Sequence, residues 1–156
     1  MKVYLEAGVK KVFAGAIDWP GWARSGKTEA AALQALLEYA SRYARSTGKA
    51  TTLLRVPADV RGLNVVARLR GGSGTDFGVP SVVADFDREP VSAAQLAALI
   101  ERLRAAWKAF DAAADRASGK TLATGPRGGE RWPARYAVRR SAWHALDHAW
   151  EIEDRS

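Results

Sequence analysis

The chain's two histidines, His144 and His148, stand four residues apart in the stretch SAWHALDHAWEIEDRS, with Glu151 three further on. On a helix, residues three and four apart are neighbours on one face, so two imidazoles and a carboxylate would meet there. That is a usable ligand set for zinc, nickel or iron(II). The same residues also read as two partly exposed histidines bonded to nearby carboxylates, or facing another subunit. With about 100° between successive residues, Trp143, Leu146 and Trp150 form an apolar edge. Val138, Ala142, Ala145 and Ala149 continue it, and His144 and Glu151 fall near the opposite side.

Two further groups could bind. Arg131, Arg135 and Arg139 recur every four residues, with Arg127 just upstream in GPRGGERW. Flexible backbone N–H groups ahead of a helix, followed by a guanidinium stripe, suit a phosphate or carboxylate. Pairing with Glu130, Glu151, Glu153 and Asp154 is the structural alternative, and GPRGGERW does not end in the G-K-[ST] of a P-loop. Trp19 and Trp22 flank Pro20-Gly21. Exposed, they would form a partner or ligand surface; otherwise they pack across a sheet onto the next helix. Nucleophilic catalysis has little support, since the chain has no cysteine and no G-x-S-x-G elbow.

These groups need elements to carry them. KVYLEAG alternates Val3 and Leu5 against Lys2, Tyr4 and Glu6, and with KKVFAGAI it predicts a hairpin. DWPGWARSGKT is rich in turn formers, with Asp18 set to accept turn N–H groups. Thr28 then caps a helix through EAAALQALLEYASRYAR. ATTLLRV and LNVVARLRG predict two more strands. Residues 71–90 read as loop, with a short strand at Ser81 to Ala84. Ser92 caps a long helix in which Leu96, Leu99, Ile100, Leu103, Trp107 and Phe110 make a core stripe. A last helix runs from about Ala134 to Asp154. The expected class is α+β: a small antiparallel sheet with one packed helix, β-β-α-β-β, then a C-terminal helical pair. The composition shift near residues 85–92 divides it into modules 1–88 and 89–156.

At 156 residues the chain can bury a core without a disulfide or metal staple. Its 24 basic and 17 acidic residues give a formal charge of +7, which favours anionic partners weakly. Lys2, Glu6, Lys10 and Lys11 break any signal-peptide core, and no run approaches the roughly 20 apolar residues of a membrane span. A soluble cytoplasmic protein without membrane contact is expected.

Two resemblances bear on function. Val3 to Arg45, with D-x-P-G, then G-x-T and an acidic, alanine-rich helix start, resembles the N-terminal module of the HicB-like antitoxin superfamily. That resemblance implies two strands, the turn, a third short strand and a helix. RRSAWHALDHAWEIEDR resembles the final helix of DinB-like four-helix bundles, which implies that His144 and His148 are metal ligands. Such proteins complete the site with a histidine on an earlier helix. This chain has no third histidine, and ATGPRGGERWP stands where the middle helices would be, so a second chain would have to complete the bundle. The expectation is a non-enzymatic binding or regulatory module for a protein or small ligand, working as a homodimer. The alternatives are a metal-dependent DinB-like enzyme completed across the dimer, and an antitoxin-like nucleic-acid-binding regulator.

Overall fold

A computed structural model of the chain describes residues 1–117 and 134–154. Side chains at 50, 51, 117, 134–136, 140, 142, 143, 146, 147 and 151 lie outside that description. The fold is α+β. Strands β1 (Lys2–Ala7), β2 (Val12–Ala16) and β3 (Ala23–Gly26) are followed by helices α1 (Glu29–Glu38) and α2 (Ala40–Thr47). Then come β4 (Asn64–Arg70), a short helix α3 (Ser73–Phe77) and the long helices α4 (Ala93–Ala117) and α5 (Ala134–Glu153).

The sheet order is β3-β2-β1-β4. The first three strands pair antiparallel, as the hairpin reading requires, but β4 lies parallel to β1. The sheet is therefore mixed rather than antiparallel. The cause is topological: α1 and α2 carry the chain across one face before it returns, so β4 enters at the same end as β1. A register shift between Val3 and Tyr4 takes up one extra residue of β4. The expected strand over ATTLLRV does not form. Thr52 donates through both its amide and its hydroxyl to the Lys49 carbonyl, closing a local turn instead.

The core fills one face of the sheet. Val3 and Leu5 of β1 lie beside Ala16 and Ala14 of β2, under Ala32 and Leu36 of α1 and Ala40 of α2. Leu5 and Leu36 are at most 1% exposed, and burying each stabilises the fold by roughly 1.5–3 kcal/mol. Two caps set the helices. The Thr28 hydroxyl accepts from the Ala31 N–H at 3.2 Å. Ser92 and Gln95 exchange hydrogen bonds at the start of α4, a capping box.

The opposite face is covered by residues 72–88. Tyr4 meets Phe86 with ring centroids 5.7 Å apart. Glu6, on the same face, is 1% exposed. Its carboxylate accepts from the Thr75 hydroxyl at 2.5 Å and from the Ser81 and Val82 N–H groups at 3.1 Å. Those amides are thereby used by a side chain, and the short strand expected at Ser81 to Ala84 is not formed. Burial, and then the negative charges of Glu6 and Asp87, hold the Tyr4 phenol above its ordinary pKa.

Backbone packing divides the chain into Met1–Ala109 and Phe110–Ser156. The division falls within α4, whereas composition alone places the module boundary near residue 88. Among the described residues no helix is long and apolar enough to cross a membrane.

Candidate functional site

The turn after β2 organises the first candidate site. The Trp22 N–H donates to the Trp19 carbonyl at 3.1 Å, and Gly21 has φ 83°. With Pro20 and Gly21 at the two central positions this is a type II turn, in which the third residue needs positive φ. The backbone closes the turn itself, and among the described residues no turn N–H donates to the Asp18 carboxylate. The Asp18 carbonyl instead accepts from Arg102 of α4 at 2.5 Å.

Both tryptophans at this turn are in the core: Trp19 is 8% exposed and Trp22 2%. The packing reading describes them, not the open-surface one. Arg102 lies over the Trp19 ring, 4.2 Å from its centroid, a cation–π contact. Trp22 stacks on Tyr43 at 5.2 Å, and its indole N–H donates to the Leu36 carbonyl at 3.0 Å. The Tyr43 hydroxyl in turn donates to the Pro20 carbonyl at 3.0 Å.

The indole bond has a consequence for the helix. A single helix is expected through residues 29–45, yet α1 stops at Glu38 and α2 starts at Ala40. Trp22 takes the carbonyl that the Ala40 amide would meet in an unbroken helix, and a side chain inserted in the hydrogen-bond ladder is a known cause of a break. Tyr39 sits at that break with φ −89° and ψ −1°.

Around Tyr39 the structure gathers two cations that the sequence reading passed over. The Arg24 guanidinium, from β3, lies 3.9 Å from the Tyr39 ring centroid, and that of Arg42, from α2, lies 5.8 Å away. With Trp22, Tyr43 and Ser46 they line a cavity of about 180 Å³, closed on the far side by Ala106 and Ala109 of α4. The Arg24 Nε is buried and has no hydrogen-bond partner, while its Nη1 donates only to the adjacent Ala23 carbonyl at 3.1 Å. Burial pulls the Arg24 pKa below the usual guanidinium value; the Tyr39 oxygen opposes this and the like charge of Arg42 adds to it. Tyr39 and Arg42 are helical neighbours three apart, which the sequence could show. Arg24 joins them only because β3 pairs at the sheet edge, which the sequence could not.

A second cavity, of about 380 Å³, lies between Thr47 and Lys49 on one side and Glu101, Arg104, Ala105 and Lys108 on the other. Here the charges are partly matched, since Arg104 and Glu101 form an ion pair at 2.5 Å.

On α5, His144 and His148 are both exposed, with ring centroids 4.4 Å apart and planes at 70°. The helical spacing does bring them together. The Glu151 side chain lies outside the described residues, and among those described no group of three His, Cys, Asp or Glu is placed to hold a metal. Arg127 and Arg131 fall outside the described residues, as does the side chain of Arg135, while Arg139 is exposed.

Four of the six residues expected in the α4 core stripe depart from that role, while Leu99 and Phe110 are half-buried. Leu96, Ile100, Leu103 and Trp107 are 47%, 37%, 49% and 37% exposed. They are not core residues of the sheet unit. The face of α4 turned to the sheet unit carries Arg102, Ala105, Ala106 and Ala109. At 3.6 residues per turn the apolar stripe lies roughly 140° round the helix from it. Periodicity gives the stripe but not which face is covered.

No protein family, curated protein or solved structure matches this chain.

Proposed function

We propose that the chain is a non-enzymatic binding module that acts as a homodimer, joined along the exposed stripe of α4. The observation that carries this is the spacing of that stripe. Leu96, Ile100, Leu103 and Trp107 follow a 4-3-4 pattern, and each keeps more than a third of its surface in water. Alternating four- and three-residue steps are the pattern by which one helix packs into another. A flat or extended partner would not select it. A second copy brings the same stripe on a symmetric axis, and two long helices per chain supply the four of a bundle.

Sedimentation velocity or light scattering on the purified chain tests it. A dimer at tens of micromolar is expected, and Ile100→Glu with Leu103→Glu gives a monomer with unchanged far-UV circular dichroism. A wild-type chain that stays monomeric at millimolar concentration rejects the reading.

The histidine pair supports a second reading, a metal-dependent DinB-like enzyme. Its support is the 4.4 Å approach of the two rings on one exposed face. In it His144, His148 and Glu151 hold zinc, nickel or iron(II), with the remaining ligand from the partner copy. Elemental analysis of untagged protein prepared without chelator then finds near-stoichiometric metal that is lost in His148→Ala. Protein that takes up none of the three metals on incubation ends this reading and leaves the first in place.

A further inference from the structure

The sheet unit carries a second candidate site, built on residues that neither the α4 stripe nor the histidine pair includes. We propose that the cavity at Arg24, Tyr39 and Arg42 is a binding site for the phosphate group of a small phosphate monoester.

Charge is the first argument. Two guanidinium groups share one aromatic ring at 3.9 and 5.8 Å, and among the described residues no carboxylate pairs with either. Three other arginines do have a carboxylate partner: Arg61 with Asp59, Arg68 with Glu29 and Arg104 with Glu101. Like charges this close repel, and partial burial removes the water that would screen them. An anion in the cavity relieves both costs.

Preorganisation is the second. Arg24 is held in place by the Tyr39 ring, and Tyr39 is fixed by the helix break that Trp22 produces. A stacked guanidinium keeps its edge free for bidentate recognition. The Arg24 group is also under-used as it stands, with Nε unpaired and Nη1 turned back on its own strand. The Ser46 hydroxyl on the cavity wall adds a neutral donor.

Shape and size select the ligand. A phosphate monoester carries close to two negative charges and three acceptor oxygens, which matches two guanidinium forks better than a single carboxylate. A volume of about 180 Å³ is that of some six waters at about 30 Å³ each. It admits a phosphate and a small organic group.

The test is a titration of the full-length chain with inorganic phosphate and with adenosine monophosphate, followed by the arginine Nε–Hε resonances and by calorimetry. Saturable shifts of Arg24 and Arg42 are expected with both. Adenosine, acetate and sodium chloride at equal ionic strength leave them in place. Arg42→Gln, at an exposed position, weakens binding at least about tenfold with an unchanged backbone spectrum; Tyr39→Leu weakens it by removing the platform. Arg61→Gln, distant and paired, changes nothing. Tighter binding of the nucleotide than of inorganic phosphate places part of the organic group in the cavity, and equal affinity confines recognition to the phosphate. The proposal is overturned by shifts that sodium chloride or acetate reproduces, or by undiminished affinity in Arg42→Gln.

Discussion

Single carboxylates do much of the organising on the sheet's second face, and two of them work in opposite surroundings. Glu6 is sealed from water and satisfied by Thr75, Ser81 and Val82. Asp76 sits at the surface and gathers three successive amides of the β1–β2 turn, those of Val9, Lys10 and Lys11, at 3.1, 2.6 and 3.2 Å. Amides converging in a turn form a nest for an anion, here supplied by the chain itself. The Lys10 N–H in particular holds the Asp76 carboxyl below its ordinary pKa; desolvation opposes it, and the Val9 and Lys11 N–H groups add to the lowering. A carboxyl whose folded pKa is depressed stabilises the fold fully above its unfolded value, about 3.9. That stability is lost as pH falls through the folded value, because the unfolded chain takes up its proton first. Urea midpoints measured from pH 7 down to pH 2 are therefore expected to fall in the wild type. They fall by less in Asp76→Asn, which starts lower at neutral pH. Parallel curves for the two proteins would remove Asp76 as a source of the dependence. Neither carboxylate's role was legible beforehand. In KVYLEA the polar members of an alternating strand read as solvent-facing, and only the return of residues 72–88 over that face inverts the assignment.

At the scale of elements, local signals placed the ends well and the surroundings poorly. Thr28 and Ser92 mark helix starts because a side-chain oxygen meeting an amide three residues on is a local event. The break at Tyr39 is not local. EAAALQALLEYASRYAR contains neither glycine nor proline, and the interruption comes from an indole 14 residues from the carbonyl it meets. The same distinction explains β4. LNVVARLRG reads correctly as a strand from its own composition, but its direction relative to β1 depends on the path of α1 and α2. It also explains α4, whose apolar stripe is plain in sequence although no sequence period says whether sheet, sister helix or water lies opposite. The Arg24–Tyr39–Arg42 cavity depends on two such non-local events, strand pairing at β3 and the helix break. It was therefore invisible, whereas the approach of His144 and His148 needs only a helix and was foreseen.

For the molecule as a whole, protection from water is distributed unevenly, and this gives a test of both packing and assembly. Every residue of β2 is buried, and β2 is hydrogen-bonded on both sides. By contrast, residues 91–98, which open α4, are all exposed. Amide exchange reports the free energy of the opening that frees each hydrogen, from near zero at loosely packed ends to the global value in a core. In dilute solution the amides of Val12 to Ala16 are expected to exchange slower than those of Leu96 to Ala98 by about a hundredfold or more. Concentration then separates fold from assembly. If two copies pair along α4, raising the protein from low micromolar to several hundred micromolar slows exchange over Leu96 to Leu103. Protection in β2 stays where global unfolding of the sheet unit sets it. The two effects are independent, because mass action protects only what the partner covers or what unfolds with it. Mass-spectrometric exchange at two concentrations reads both. Equal protection of α4 and β2 in dilute solution would contradict the exposure of its first two turns. Protection of α4 that does not change with concentration in a chain that sediments as a monomer would leave its stripe without a partner copy.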